Sequence, residues 1–201
     1  MENKPSKKGL LIVFEGLDRC GKSTQAHMLY NKLLFNGINS EIIKFPDRTT
    51  VVGNVIDSYL QNAVNATDQV IHLLFSANRW ELKDTINRYI TEGKIVIVDR
   101  YIYSGIAYSV AKGLDFDWCK ACDEGLPEPD LIFYLEMTVD KLMKRGNFGL
   151  ERYEKKELLE RVAKSYERVW ENKKLPLVII NGDNDKNELY EIILSIVQKQ
   201  I

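Results

Sequence analysis

Apolar residues in this chain come in short dense runs separated by longer stretches with helical spacing. The first run, GLLIVFE, is β-rich and ends in a glycine turn. KSTQAHMLYNKLLFNG follows, with Met28, Leu29, Leu33 and Leu34 spaced as on one helix face and Gly37 as its stop. EIIKF reads as a second strand halted by Pro46. VVGNVIDSYL and then TDQVIHLLFSANRWELKDTINRYITEG read as helical, the latter continuous to Gly93. KIVIVD, DLIFYLE and LPLVIIN are three further strands, and their near-continuous apolar character suits a parallel sheet covered on both faces. The pattern predicts a doubly wound α/β unit.

Strands of a parallel sheet end on one edge, so Glu15, Gly16, Phe45, Pro46, Asp99, Arg100 and Glu136 are expected around a common crevice. From Thr138 to Trp170 the character changes to a short helical piece, then RGNFGLERYE with Gly146 and Gly149, then ERYEKKELLERVAKSYERVW as a charged helix. A polar, glycine-bounded segment there, residues 143–153, is expected to be a lid. Residues 9–201 read as a single domain and residues 1–8 as a loose tail. No repeat interrupts this order.

Composition narrows the class of function. The 201 residues are 45% hydrophobic and 28% charged, ordinary for a globular protein, and runs such as LLIVF and LVII are too short to span a bilayer. A formal net charge of -1 argues against a generally basic nucleic-acid-binding surface. MENKPSKK carries neither an apolar signal region nor an Arg-rich transit pattern. The three cysteines, Cys20, Cys119 and Cys122, are an odd number without a leader, which points to a reducing compartment and the cytosol. Cys119 and Cys122 form a CxxC, yet the histidines, His27 and His72, lie far away in sequence, so buried or half-buried thiols explain the pair better than zinc does.

Residues Gly16 to Ser23 satisfy G-x-x-x-x-G-K-[ST] between a strand and a helix. The glycines let backbone N–H groups converge on an anion, Lys22 reaches the β and γ phosphates, and Ser23 offers its hydroxyl to Mg²⁺. Arg19, inside the loop, can stabilise the transferring phosphoryl group in cis; the alternative is a solvated loop residue. Asp99 ends an apolar strand where a carboxylate can order Mg²⁺, and Arg100 beside it can clamp phosphate. A mere surface ion pair is the alternative, and only the functional reading requires both to face the crevice.

Arg48 in FPDR lies on the same edge and suits an acceptor phosphate. Phe75 and Arg79 share a helix face, where a ring can stack on a base while a guanidinium reads it; core packing is the competing explanation. Ser104 and Tyr108, at one-turn spacing, could close around a sugar, or be a capping serine and a packed tyrosine. Spacing alone reaches a Mg²⁺-dependent phosphotransferase with two anionic ligands.

The motifs FEGLDRCGKSTQ, FPDRTT, HLLFSANRWE, DRYIYSG, CKACDEGLPEPDLIFYLE and RGNFGLERYE, in this order from Gly9 to the C-terminus, resemble the thymidylate kinase family of the eukaryotic type. The resemblance implies a five-stranded parallel sheet, a homodimer, and transfer of the γ-phosphoryl group of ATP to dTMP. It implies ATP contacts from Gly16, Arg19, Cys20, Gly21, Lys22, Ser23, Thr24 and Arg145, the last against the adenine, with Arg19 catalytic. It implies that Asp18 meets the sugar 3'-hydroxyl, that Arg48 and Arg100 hold the dTMP phosphate, and that Phe45 belongs to the acceptor site. By the same implication Phe75 stacks on thymine, Arg79 bonds its carbonyl, Ser104 and Gly105 line its edge, Tyr108 crowds the 2' position and Tyr153 packs near the nucleotide.

Two positions depart from the family pattern. Leu159 stands where many members carry glutamine, and Cys20 stands where alanine or serine is usual, which suggests a thiol near phosphate and sensitivity to oxidants. Kinases of other nucleoside monophosphates or of deoxynucleosides are the competing enzymes; the pair Arg48 and Arg100 favours an acceptor that is already charged. A guanine-driven switch would need N-K-x-D, and NGDN at Asn181 to Asn184 lacks the lysine.

Overall fold

The computed structural model describes residues 8–145 and 151–201. Residues 1–7 of the expected tail and residues 146–150 of the expected lid lie outside the described residues. Those described form five strands, β1 (Leu10–Glu15), β2 (Ser40–Lys44), β3 (Ile95–Asp99), β4 (Leu131–Glu136) and β5 (Leu177–Asn181). Nine helices join and flank them: α1 (Lys22–Phe35), α2 (Val51–Leu60), α3 (Asp68–Trp80), α4 (Lys83–Thr91), α5 (Ile102–Val110), α6 (Phe116–Ala121), α7 (Val139–Met143), α8 (Lys156–Val169) and α9 (Lys186–Val197).

All strand pairs are parallel and the order is β2-β3-β1-β4-β5. β1 lies at the centre, with Leu10 beside Ile95 and Ile12 beside Leu131. Because side chains alternate across a strand, Leu11 and Val13 join Val96, Val98, Ile86 of α4 and Leu126 in one apolar cluster. Ile12, Phe14 and Ile97 join the larger cluster that includes Leu29 and Leu33 of α1. A strand buried on both faces needs apolar residues at every position, which is why LLIVF is unbroken. No helix among the described residues is long and apolar enough to cross a membrane.

Two helices differ from the expectation. The stretch to Gly93 is not continuous: it breaks at Glu81 and Leu82 into α3 and α4. Ile71 of α3 packs in the larger cluster while Ile86 of α4 packs in the smaller one, and one straight helix would not present both residues to these separate clusters. At the break, Glu81 Oε2 accepts from Thr50 Oγ1 (2.8 Å) and Asn78 Nδ2 (2.9 Å), so the corner is tied to the loop after β2. The charged helix expected from Glu151 begins only at Lys156. Arg152 N–H donates to the Leu60 carbonyl (2.9 Å) and its guanidinium to the Tyr59 and Val64 carbonyls (both 2.8 Å), which holds the preceding turn against α2.

The site rests on this packing, and its stability is measurable. Phe133 is fully buried on β4 with its ring 5.2 Å from that of Phe14. Phe133→Ala should lower the unfolding free energy by about 3–5 kcal/mol, read from urea denaturation, since a central strand flanked on both faces collapses poorly around a cavity.

Candidate active site

At the end of β1 the chain turns at Gly16, φ 140°, where a Cβ would sit 2.7 Å from the Leu135 carbonyl oxygen. Gly21, φ 104°, is the N-cap residue of α1 and supplies no side-chain cap, so the first N–H groups of α1 face the crevice unassisted. A helix start in this state suits an anion. Lys22, 5% exposed, curls back so that Nζ donates to the Leu17 carbonyl at 2.6 Å. Thr24 stands one residue further on and lines the same cavity.

Ser23 Oγ donates to Asp99 Oδ2 at 2.5 Å. Asp99 is 2% exposed, and its other oxygen, Oδ1, is buried without a hydrogen-bond partner. A buried acceptor with nothing to accept is costly. A hard cation that takes oxygen ligands removes that cost, and Mg²⁺ commonly needs only one or two protein oxygens because water and phosphate supply the rest. The residues present therefore fit Mg²⁺.

These groups open into a cavity of about 460 Å³. Arg19, Gly21, Lys22, Ser23, Thr24, Asp99 and Arg145 line one part of it. Asp18, Phe45, Arg48, Phe75, Arg79, Arg100, Ser104, Gly105, Tyr108 and Tyr153 are among the others that line it. Asp99 and Arg100 thus both face the crevice, as the functional reading requires. Gly16 and Cys20 do not line it. Cys20 is 1% exposed, with Sγ 2.8 Å from where a Gly16 Cβ would be and 3.7 Å from Lys22 Nζ, so its thiol is packed beside the lysine of the turn and does not line the cavity.

Beyond the phosphate turn the cavity is organised by charge. Arg100 Nη2 donates to Asp18 Oδ1 (2.5 Å), Nη1 to the Gly16 carbonyl (3.1 Å) and to Ser104 Oγ (2.9 Å). Tyr108 OH donates to Asp18 Oδ2 at 2.8 Å. Burial works against the Asp18 charge, but Arg100 and then Lys22 overcome it and hold the carboxyl down at about 2. Burial, reinforced by Asp18, pushes the Tyr108 phenol far up, so it stays a hydrogen-bond donor.

Arg79 is fixed by two parallel bonds to Asp123, 3.0 Å from Nε and 2.6 Å from Nη2. A Cβ at Gly105 would meet Arg79 Nη2 at 2.7 Å, so the guanidinium lies directly on the α5 backbone and only glycine leaves it room. The rings of Phe75 and Tyr108 lie 6.4 Å and 5.5 Å from that of Tyr153, giving this end aromatic walls. Leu159 is fully buried in the larger core cluster.

The segment before α8 reaches both ends. Glu151 accepts from Arg48 Nη2 at 2.8 Å and Asp57 accepts from Arg48 Nη1 at 2.6 Å. Glu154 Oε1 accepts from Arg19 Nε at 2.9 Å, and Arg145 Nη1 donates to the Arg19 carbonyl at 2.6 Å. Sequence reading did not assign Glu151, Glu154, Lys44 or Asp123; the first two lie inside RGNFGLERYE, where acids flanking a tyrosine on a lid were the available signal.

A phosphate turn and an arginine-rich, aromatic-walled surface lining a single cavity, on the carboxyl edge of a parallel sheet, define the class: a P-loop kinase of the nucleoside monophosphate kinase fold. Comparison with known proteins narrows it. The family profile described as thymidylate kinase matches residues 14–193. The thymidylate kinase of Dictyostelium discoideum is 48% identical over 195 residues, covering 96% of this chain and 87% of that one. The human thymidylate kinase is 39% identical over 189 residues, covering 94% and 89%. The solved thymidylate kinase of Candida albicans superposes with a TM-score of 0.84 at 38% identity, over 96% of this chain and 93% of the other. The chain belongs to the thymidylate kinase family.

The Asp18 pair makes a testable pH dependence. Its folded value lies below the ordinary carboxylate value of 3.8, so its stabilisation is complete above that value and is lost as pH falls through about 2. With 34% of the side chain exposed, solvent screens the pair and the effect is modest. Asp18→Asn should be less stable than the parent at pH 7, and the gap in urea midpoint should narrow between about pH 4 and 2.

Proposed function

We propose that this kinase transfers the γ-phosphoryl group of ATP to dTMP, giving ADP and dTDP, with the cavity divided as its two ends suggest. ATP takes the phosphate turn and dTMP takes the aromatic-walled end. The observation that carries the reading is the Arg79, Gly105 and Phe75 slot beside the Arg100 and Asp18 pair, which pairs a base-sized wall with a phosphate clamp. Ser23 and Asp99 would hold Mg²⁺, which when bound neutralises charge on the β and γ oxygens.

The chain's own residues do the positioning. The N–H groups of Gly21 to Thr24 and Lys22 grip the donor phosphates, and Arg100 with Arg48 grips the acceptor phosphate, so the reacting groups meet in line. Arg48 leaves Glu151 for the incoming phosphate, since a phosphate of higher charge competes with an exposed carboxylate. Arg19 supplies charge to the transferring group from the loop itself. No protein general base is needed, because a phosphate monoester has its second pKa at about 6 and arrives ionised.

We further propose a homodimer in the cytosol. Val70, Leu73 and Trp80 follow one face of α3 and are exposed at 48%, 48% and 36%, and Trp118 of α6 continues the patch at 37%. Trp80 Nε1 donates to the Cys122 carbonyl (2.9 Å) and Trp118 lies 5.2 Å from His72, which makes α3 and α6 one surface. A contiguous apolar patch of this kind favours association. Cys20, Cys119 and Cys122 are free thiols, as suits a reducing compartment.

An ADP-release assay with ATP and Mg²⁺, offering dTMP, dUMP, dGMP, dCMP, AMP and thymidine, tests the reaction. dTMP should lead, with dUMP roughly 5- to 150-fold slower in kcat/KM because a methyl pocket discriminates by only ~1–3 kcal/mol. Preference for another acceptor would sink the slot assignment. In the same assay Arg19→Ala should lower kcat by about 10³-fold or more with the dTMP KM near the parent value. Leu73→Glu should shift the protein to monomer mass in light scattering, and an unchanged mass would remove α3 from the interface.

A further inference from the structure

Glu15, the last residue of β1, is fully buried, and the reaction as described gives it no work. Its carboxylate accepts four hydrogen bonds. Oε1 takes the N–H groups of Tyr101 (2.9 Å) and Ser104 (3.1 Å), and Oε2 takes Ser104 Oγ (2.5 Å) and Tyr166 OH (2.9 Å). All four donors are neutral, so the arrangement is no simple ion pair.

We propose that Glu15, anchored by Tyr166 and acting through Ser104, is a positioning residue that sets the direction of the Arg100 clamp. This rests on Arg100 holding the acceptor phosphate. The backbone half of the argument concerns α5, whose N-cap residue Tyr101 offers no side-chain cap. Glu15 reaches across from β1 and caps that helix start instead, where negative charge is favourable. The first turn of α5, immediately after Arg100, is thereby fixed to the sheet.

The side-chain half concerns one proton. A serine hydroxyl has a single proton and two lone pairs, and a carboxylate only accepts. The Ser104 proton therefore points to Glu15, which leaves a lone pair for Arg100 Nη1 at 2.9 Å. Tyr166 OH lies 2.9 Å from both Ser104 Oγ and Glu15 Oε2, closing the buried set. The bonds run in one sense, Arg100 to Ser104 to Glu15, with Tyr166 donating to the same carboxylate. The Ser104 hydroxyl is thus turned toward Arg100 rather than toward a base edge.

Glu15→Gln keeps the shape and breaks that sense. Its oxygen can still take the backbone N–H groups, but its amide then donates toward Ser104, whose proton must leave Glu15 and either turn to Tyr166 OH or meet Arg100 donor against donor, so the single sense of the bonds is lost in both cases. Tyr166→Phe is the gentler variant, since it removes one hydroxyl and no volume of consequence.

The experiment is steady-state kinetics with dTMP and ATP varied separately, on Glu15→Gln, Tyr166→Phe, Ser104→Ala, the Glu15→Gln/Ser104→Ala double variant and Arg100→Ala. The dTMP KM should rise about tenfold in Glu15→Gln and about threefold in Tyr166→Phe, with kcat and the ATP KM near parent values. The effect of Glu15→Gln should shrink when Ser104 is already alanine, because no hydroxyl remains to reverse. Should Glu15→Gln fail to fold, Tyr166→Phe with Ser104→Ala carries the same cycle. Unchanged dTMP KM in Glu15→Gln and Tyr166→Phe, beside a raised value in Arg100→Ala, overturns the positioning role and leaves the clamp. Equal rises for ATP and dTMP, or strictly additive effects, reduce Glu15 to a structural group and overturn it too. An unmoved dTMP KM in Arg100→Ala overturns the clamp and this inference together.

Discussion

The contact between Arg100 and Asp18 is the constraint from which the site is built. Two charges drawn out of water are costly unless geometry and further hydrogen bonds satisfy them. Here the Arg100 guanidinium also reaches the Gly16 carbonyl and Ser104, while Asp18 takes a second donor from Tyr108. The Arg100 N–H donates to the Phe14 carbonyl at 2.9 Å, so the pair is welded to the ends of both β1 and β3. Whatever spacing separates the phosphate turn from the acceptor wall is set by these two strand ends and cannot drift independently.

Around that fixed centre Arg79, Arg48 and Arg19 are held by carboxylates of differing burial. Arg79 and Asp123 are 3% and 2% exposed, a buried bidentate pair whose loss would strand a charge. Arg48 and Glu151 are 39% and 38% exposed, and such a pair contributes little stability. The difference accords with the roles proposed for them: a guanidinium that reads one edge of a base gains from being immobile, and one that receives a phosphate gains from a partner that is easily displaced. Glu154 engages Arg19 in the same segment, so the turn before α8 touches the arginines proposed for both substrates.

The sheet was legible because a centrally buried strand must be apolar at every position, as LLIVF and IVIV are. The phosphate turn was legible because its chemistry demands fixed residue types at fixed spacing. The break between α3 and α4 was not, since Glu81 and Leu82 are acceptable helix residues and only the partition of Ile71 and Ile86 between two clusters requires a corner there. The late start of α8 was hidden for the same kind of reason: its turn is held by Arg152 bonding the carbonyls of Tyr59 in α2 and of Val64 just beyond it, some ninety positions away, a contact without local signature. The partners of the named arginines were equally hidden. Asp123, Glu151 and Glu154 are ordinary acids in sequence, and only the fold gives each of them a cation.

Backbone strain supplies an argument that side-chain chemistry alone does not. Arg19 and Arg100 adopt φ of 68° and 69°, in the left-handed region that costs a side-chain-bearing residue on the order of 1 kcal/mol or more. Asn62, the remaining such residue among those described, is of a type that tolerates this region, whereas arginine has no such preference. Glycine at either position would relieve the backbone, yet it would remove the guanidinium. A conformation of this kind persists only where its surroundings over-determine it, and here the bonds of Arg100 to three partners and the contacts of Arg19 with Glu154 and Arg145 do so. The two strained arginines are those whose charge must project from a tight turn toward the cavity, so strain and electrostatic aim are two consequences of one geometric demand.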